Sequence, residues 1–154
     1  MSVQIVLGSK SDMKVAEKAV AVLKELNVRY KLNIASAHRT PELVDKLVAE
    51  ADADVFIAIA GLSAALPGAI AARTTRPVIG VPVSGTVNLD AILSVVQMPP
   101  GIPVAGVGLD RGDNAALLAA EIIALKDENV AKALVRYRQK MRDKVIKDSK
   151  EVEI

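Results

Sequence analysis

The sequence predicts an α/β protein: a single doubly wound parallel sheet in three layers, with an extra helix at the C-terminal end. Short β-branched runs alternate with helix-period segments along the chain, the pattern of parallel strands joined by right-handed helical crossovers. Three of those runs, Val55–Ala60, Val78–Val81 and Val104–Val107, are almost wholly apolar, as expected of strands covered on both faces. A chain of 154 residues fits one domain with a sizeable core.

Each element follows from local pattern. Gln4–Leu7 reads as the first strand. Met13–Leu26 places Val15, Ala16, Ala19, Val20, Val22, Leu23 and Leu26 at helical spacing. Tyr30–Ile34 is the second strand, and Pro41–Ala51 the second helix, with Thr40 as N-cap and Pro41 at the first helical position. Val55–Ala60 leads into a helix over Leu66–Arg73, and Val78–Val81 into one over Asp90–Val96. Gln97-Met98-Pro99-Pro100-Gly101 stops that helix before the fifth strand, Val104–Val107. Asn114 is expected to cap Ala115–Leu125. In Glu128–Lys147 the apolar residues Val130, Leu134, Tyr137, Met141 and Val145 form one narrow stripe on a charged helix. That stripe packs either on its own domain or on a partner subunit. The sequence has no internal repeat and no low-complexity tract.

Composition narrows the function classes. Hydrophobic residues make up 51% of the chain but aromatics only 2%, so the core is built from Ala, Val, Ile and Leu, and few rings are available to stack on a base. The net charge of +2 is too small to argue for nucleic acid, even with the segment from Lys126 onward carrying +3 and the rest −1. The absence of cysteine excludes disulfides and thiolate metal sites; it fits a reducing compartment, and a cytoplasmic location is expected. No leader is read at the N-terminus, and the most apolar stretch, Val55–Ala72, is broken by Gly61, Pro67 and Gly68, which argues against a membrane span.

Chemistry is expected at the carboxyl ends of the strands, where open parallel sheets bind ligands. His38, the one histidine, stands at the second of them, in Ser36-Ala37-His38-Arg39-Thr40-Pro41. Histidine is the side chain whose ordinary pKa lies nearest neutrality, which makes it the first candidate for proton transfer. Gly8-Ser9-Lys10-Ser11-Asp12 can form an anion cup, or an ordinary turn capped by Ser11 or Asp12. Arg39, facing the same rim as Ser9 and Ser11, suits bidentate phosphate binding, and Asp12 can accept hydrogen bonds from sugar hydroxyls. Gly61–Gly68 carries no titratable group. Its backbone amides, near the start of Leu66–Arg73, can hold a carboxylate, or the segment is simply a tight turn. Together these features favour a ribose-phosphate ligand with proton transfer. The dinucleotide fingerprint and the P-loop are both absent.

These segments, with Leu66-Pro67-Gly68, Val81-Pro82-Val83, Gln97-Met98-Pro99 and Asn114-Ala115-Ala116, resemble the N5-carboxyaminoimidazole ribonucleotide mutase family of purine biosynthesis, in the same order and over nearly the whole chain. The Ser-Ala-His-Arg-Thr-Pro match is the most specific. The resemblance implies a single catalytic domain over 1–154 that needs neither cofactor nor metal. The domain would move a carboxylate from the exocyclic nitrogen of an aminoimidazole ribonucleotide to ring carbon C4. His38 would be the catalytic histidine, and Ser9, Asp12 and Arg39 would bind substrate, with Ser11 and Ser36 at the phosphate. Amides around Ala60, Gly61 and Leu62 would hold the CO2. A homo-octamer is implied, assembled through the helix at 128–147. Two departures stand out. The bacterial mutases carry a histidine and a glycine where this chain has Ala65 and Leu62, and the loop Ser84–Leu89 is short. A sister class that carboxylates aminoimidazole ribonucleotide directly with CO2 also lacks that histidine, whereas Gln97-Met98-Pro99 favours the mutase. A non-catalytic nucleotide- or flavin-phosphate binding module is the alternative of another class, suggested by flavodoxin-like strand order and opposed by the scarcity of rings. A phospho-receiver domain would need acidic residues where Gly8, Ser9 and Gly61 stand.

Overall fold

The computed structural model of the chain describes residues 1–152, so the last two residues of the expected domain lie outside the described residues. Five parallel strands, β1 (Ser2–Leu7), β2 (Arg29–Ile34), β3 (Val55–Ala60), β4 (Val78–Pro82) and β5 (Ala105–Gly106), lie in the order β2-β1-β3-β4-β5. Six helices follow them: α1 (Met13–Glu25), α2 (Pro41–Glu50), α3 (Leu66–Ala71), α4 (Asn88–Val96), α5 (Gly112–Ala124) and α6 (Glu128–Glu151). The doubly wound three-layer sheet and the extra helix α6 are as the sequence predicts.

Strand alternation divides the core in two. Val3, Ile5 and Leu7 of β1, Val55, Ile57 and Ile59 of β3, and Ile79 and Val81 of β4 face α1 and α5. Val6, Phe56, Ala58 and Val78 face α2, α3 and α4 on the other side. The helices of the first layer pack closely because they meet through alanines, Ala16 and Ala19 of α1 against Ala115, Ala116, Ala119 and Ala120 of α5, all without solvent exposure. Gly112, where α5 begins, sets the limit of that approach: a Cβ there would sit 2.1 Å from the carbonyl oxygen of Val15.

Several boundaries depart from expectation for local reasons. The fifth strand shrinks from Val104–Val107 to two paired residues, both exposed, at the edge of the sheet beside β4. Asn114 does not cap α5; the helix starts at Gly112, with Arg111 at its cap position and Asn114 inside the first turn. Thr40 does precede α2, but its hydroxyl makes no cap bond; it is used within its own loop. Part of the α6 stripe packs on its own domain. Val130 and Leu134 are buried on the α5 side and Tyr137 packs against the same cluster, whereas Met141 and Val145 remain more than half exposed. Arg138 pairs with Glu121 of α5, and Lys140 with Glu25 of α1, whose carboxylate raises the Lys140 pKa. No helix among the described residues is long and apolar enough to cross a membrane.

Replacing Gly112 by alanine is expected to destabilise the fold by about 1–3 kcal/mol through overpacking, read from the denaturant midpoint. Gly85→Ala is the control, since a Cβ at Gly85 meets nothing within 4 Å; it should shift stability by no more than about 0.5 kcal/mol. Equal behaviour of the two variants would contradict the close α1–α5 contact.

Candidate active site at the carboxyl ends of the strands

The loops that leave β1, β2, β3 and β4 enclose a cavity of about 540 Å³, within the usual range for a small-molecule site. Its position follows from the strand order. β1 and β3 are adjacent, yet β1 runs on into α1 on one face of the sheet and β3 into α3 on the other. Their loops diverge and leave a crevice. All eight residues expected at the site, Ser9, Ser11, Asp12, Ser36, His38, Arg39, Gly61 and Leu62, line that cavity.

The β1 loop is a single 3₁₀ turn, Lys10–Asp12, closed by a capping box. Ser9 Oγ accepts from the Ser11 amide at 3.2 Å, and Asp12 Oδ2 accepts from the Ser9 amide at 3.0 Å. The Ser11 hydroxyl donates to Asp12 Oδ1 at 3.1 Å, and the hydroxyls of Ser9 and Ser11 are hydrogen-bonded to each other. Ser9 is therefore the cap of the 3₁₀ turn, rather than Ser11 or Asp12. Asp12 is only 6% exposed, and a buried carboxylate is tolerated because both oxygens accept hydrogen bonds. The turn is tied internally, with the Ser9 amide and both serine hydroxyl hydrogens already engaged.

The β2 loop presents His38 and Arg39. Thr40 Oγ1 accepts from the Ser36 amide at 3.0 Å and donates to the Ser36 carbonyl at 3.3 Å. Ser36 Oγ accepts from both the amide and Nε of Arg39, at 3.2 and 3.3 Å, and Arg39 Nη2 donates to the Gly8 carbonyl at 3.0 Å. The guanidinium is thus fixed between the first two strand ends, and among the described residues no carboxylate pairs with it. Its charge is left for a ligand. The His38 imidazole is exposed on the same loop and makes no hydrogen bond to the described residues.

The β3 loop leads into α3, which has six residues and no side-chain cap. Several amides here, among them those of Gly61, Leu62 and Leu66, have no acceptor among the described residues, and all three residues line the cavity. Ser63 follows with a left-handed φ of 48°. The β4 loop adds Val83 and Ser84. No aromatic ring other than the imidazole lines the cavity, and among the described residues no three His, Asp or Glu side chains are grouped to hold a metal.

The family model described as AIR carboxylase matches residues 2–144. The chain belongs to the AIR carboxylase family. Over 149 residues it is 62% identical to the N5-carboxyaminoimidazole ribonucleotide mutase of Methanocaldococcus jannaschii, a match covering 96% of this chain and 95% of that one. It is 47% identical to the mutase of Pyrococcus abyssi, over 91% of this chain and 83% of the relative. Treponema denticola PurE has the same fold, with a TM-score of 0.89 at 35% identity over 99% of this chain and 98% of that structure.

Within this family framework, both residue replacements noted in the β3 loop fall at the cavity: Ala65 and Leu62 each line it, and Leu62 is 79% exposed. Sequence reasoning missed Ser63 and Ser84 as lining residues, and with them Asp90 and Asp110. Asp90 Oδ2 accepts from the Ser63 amide and Asp110 Oδ1 from the Ser84 amide, each at 2.8 Å. These partners stand 27 and 26 residues apart, so no local pattern announces them.

Asp12→Ala removes the carboxylate half of the capping box. The expected cost is about 1–2 kcal/mol, measured as a shift in denaturant midpoint. An unchanged midpoint would mean that the box is not what fixes the β1 turn.

Proposed function

We propose that the chain is an N5-carboxyaminoimidazole ribonucleotide mutase, an isomerase that forms 4-carboxy-5-aminoimidazole ribonucleotide in purine biosynthesis. The observation that carries this reading is the cavity of a chain 62% identical to a named mutase: one histidine, one arginine without a carboxylate partner, and open amides around a single space. Arg39, with the Ser9 and Ser11 hydroxyls and Ser36, suits the phosphate. Asp12 faces the ribose, and the Gly61 and Leu62 amides suit the migrating carboxylate. Protonated His38 gives its proton to the exocyclic nitrogen as the N–C bond breaks and CO2 forms. C4 attacks that CO2, and neutral His38 takes the proton that C4 loses. The proton returns to its starting place, so no cofactor or metal is required.

The scarcity of rings in the cavity argues against a flavin-binding module. Direct carboxylation of aminoimidazole ribonucleotide remains the second reading, favoured by Ala65 where the bacterial mutases have histidine. We infer a homo-octamer assembled through α6, supported by the exposed Met141 and Val145 at the far end of its stripe; light scattering of the purified protein tests it. The reading assigns a small-molecule substrate, no nucleic acid and a cytoplasmic location.

His38→Asn is expected to lower kcat by about 10²–10⁴-fold, the usual contribution of general acid–base catalysis, with unchanged stability because the side chain is exposed. Full retained activity in both directions would sink its role. Arg39→Ala should raise KM about 10–100-fold, as expected for loss of a charged hydrogen bond. Supplying labelled bicarbonate with unlabelled N-carboxylated substrate separates the two readings. A mutase forms unlabelled product at low bicarbonate, and rapid labelling counts against it.

A further inference from the structure

The turn after β3 is held from outside. Its open amides, Gly61 and Leu62, are followed at once by Ser63 in the left-handed region, a conformation costly for a residue with a side chain unless the surroundings hold it. One side-chain hydrogen bond reaches Gly61–Ala65 from the described residues, the 2.8 Å bond from the Ser63 amide to Asp90 Oδ2. Within the turn, the Ala65 amide donates to the Ser63 carbonyl, so the bend beyond Ser63 depends on the same residue. Asp90 is half-buried in the first turn of α4, where a carboxylate is favoured by the helix dipole. It does not line the cavity.

We propose that Asp90 is a positioning residue for carboxylate transfer: by accepting the Ser63 amide it fixes the Leu62–Ser63 peptide plane and so keeps the Gly61 and Leu62 amides disposed to retain CO2. The inference rests on the mutase reading. It assigns Asp90 to CO2 retention, away from the phosphate-binding end. When the turn loosens, CO2 released by N–C cleavage escapes to solvent before C4 attacks. Aminoimidazole ribonucleotide and CO2 then leave in place of the 4-carboxy isomer, the exocyclic nitrogen keeping the proton it received and neutral His38 taking a replacement from water.

The test compares wild type, Asp90→Ala and Asp90→Asn with N-carboxylated substrate. It measures kcat, KM and the ratio of decarboxylated to 4-carboxy product, with the enzyme-free rate subtracted. Asp90→Ala is expected to lose about 10–100-fold in kcat, the scale of an ångström-level misplacement. Its KM should change by less than about threefold, and its fraction of decarboxylated product should rise. Asp90→Asn keeps an acceptor oxygen and should restore most of the wild-type partition. Should Asp90→Ala fail to fold, Ser63→Pro is the substitute. Proline has no amide hydrogen and cannot take a positive φ, so it should produce the same leak with Asp90 in place. A wild-type partition in a folded Asp90→Ala, or in Ser63→Pro, overturns the inference alone. Wild-type protein that forms no 4-carboxy product overturns the mutase reading and the inference together.

Discussion

The parallel pairing of β1 with β3 is the constraint on which the site depends. Its ladder runs past the last strand residues, with the Gly8 amide donating to the Ile59 carbonyl at 2.9 Å. This holds the two loops side by side at one end of the sheet. Because the chain continues from β1 into α1 on one face and from β3 into α3 on the other, the loops must separate. The alanine-rich α1–α5 interface draws those two helices together on one face, and Phe56, the largest fully buried side chain, packs on the other. The crevice is thus a consequence of strand order and needs no special residue to open it. What the residues decide is how its walls are finished.

Those walls share a device. At three strand ends a serine amide is taken up by an aspartate: Ser9 by Asp12, Ser63 by Asp90 and Ser84 by Asp110. The first bond is local, and the other two bring in a carboxylate from a later element. Two of the three residues at positive φ outside glycine, Ser63 and Asp110, take part in these ties. Charge-assisted bonds from a carboxylate to a backbone amide are stronger than neutral ones, which suits them to holding strained turns. The consequence for a ligand is selective. The tied amides are closed to it, while those of Gly61 and Leu62 and the Arg39 guanidinium stay open.

Much of this was legible in the sequence, and the limits have physical causes. The apolar runs that became β3 and β4 could be read because a strand buried on both faces must be apolar throughout. The same rule overstated Val104–Val107, since apolarity does not reveal how many residues pair with a neighbouring strand. His38 and Arg39 could be read because their signal lies within six consecutive residues. Asn114 was misplaced because α5 begins where Gly112 allows the closest contact with α1, a tertiary limit that overrides capping preference. Asp90 and Asp110 left no trace, because their partners are neighbours only after the strands have been ordered.

The contrast between Arg39 and His38 bears on the proposed reaction. Arg39 is held through its backbone amide, Nε and Nη2, so its charge is fixed in place before any ligand arrives. That suits a phosphate, which does not change during an isomerisation. His38 sits one residue away with no protein hydrogen bond to satisfy among the described residues. Under the mutase reading its proton must first reach the exocyclic nitrogen, and the imidazole must then receive one from C4. A ring bonded to a carboxylate or carbonyl would be held to one tautomer and one direction. An unbonded ring on a firmly tied loop can serve both atoms. With Ala65 at the cavity in place of the histidine of the bacterial mutases, no second imidazole shares that work.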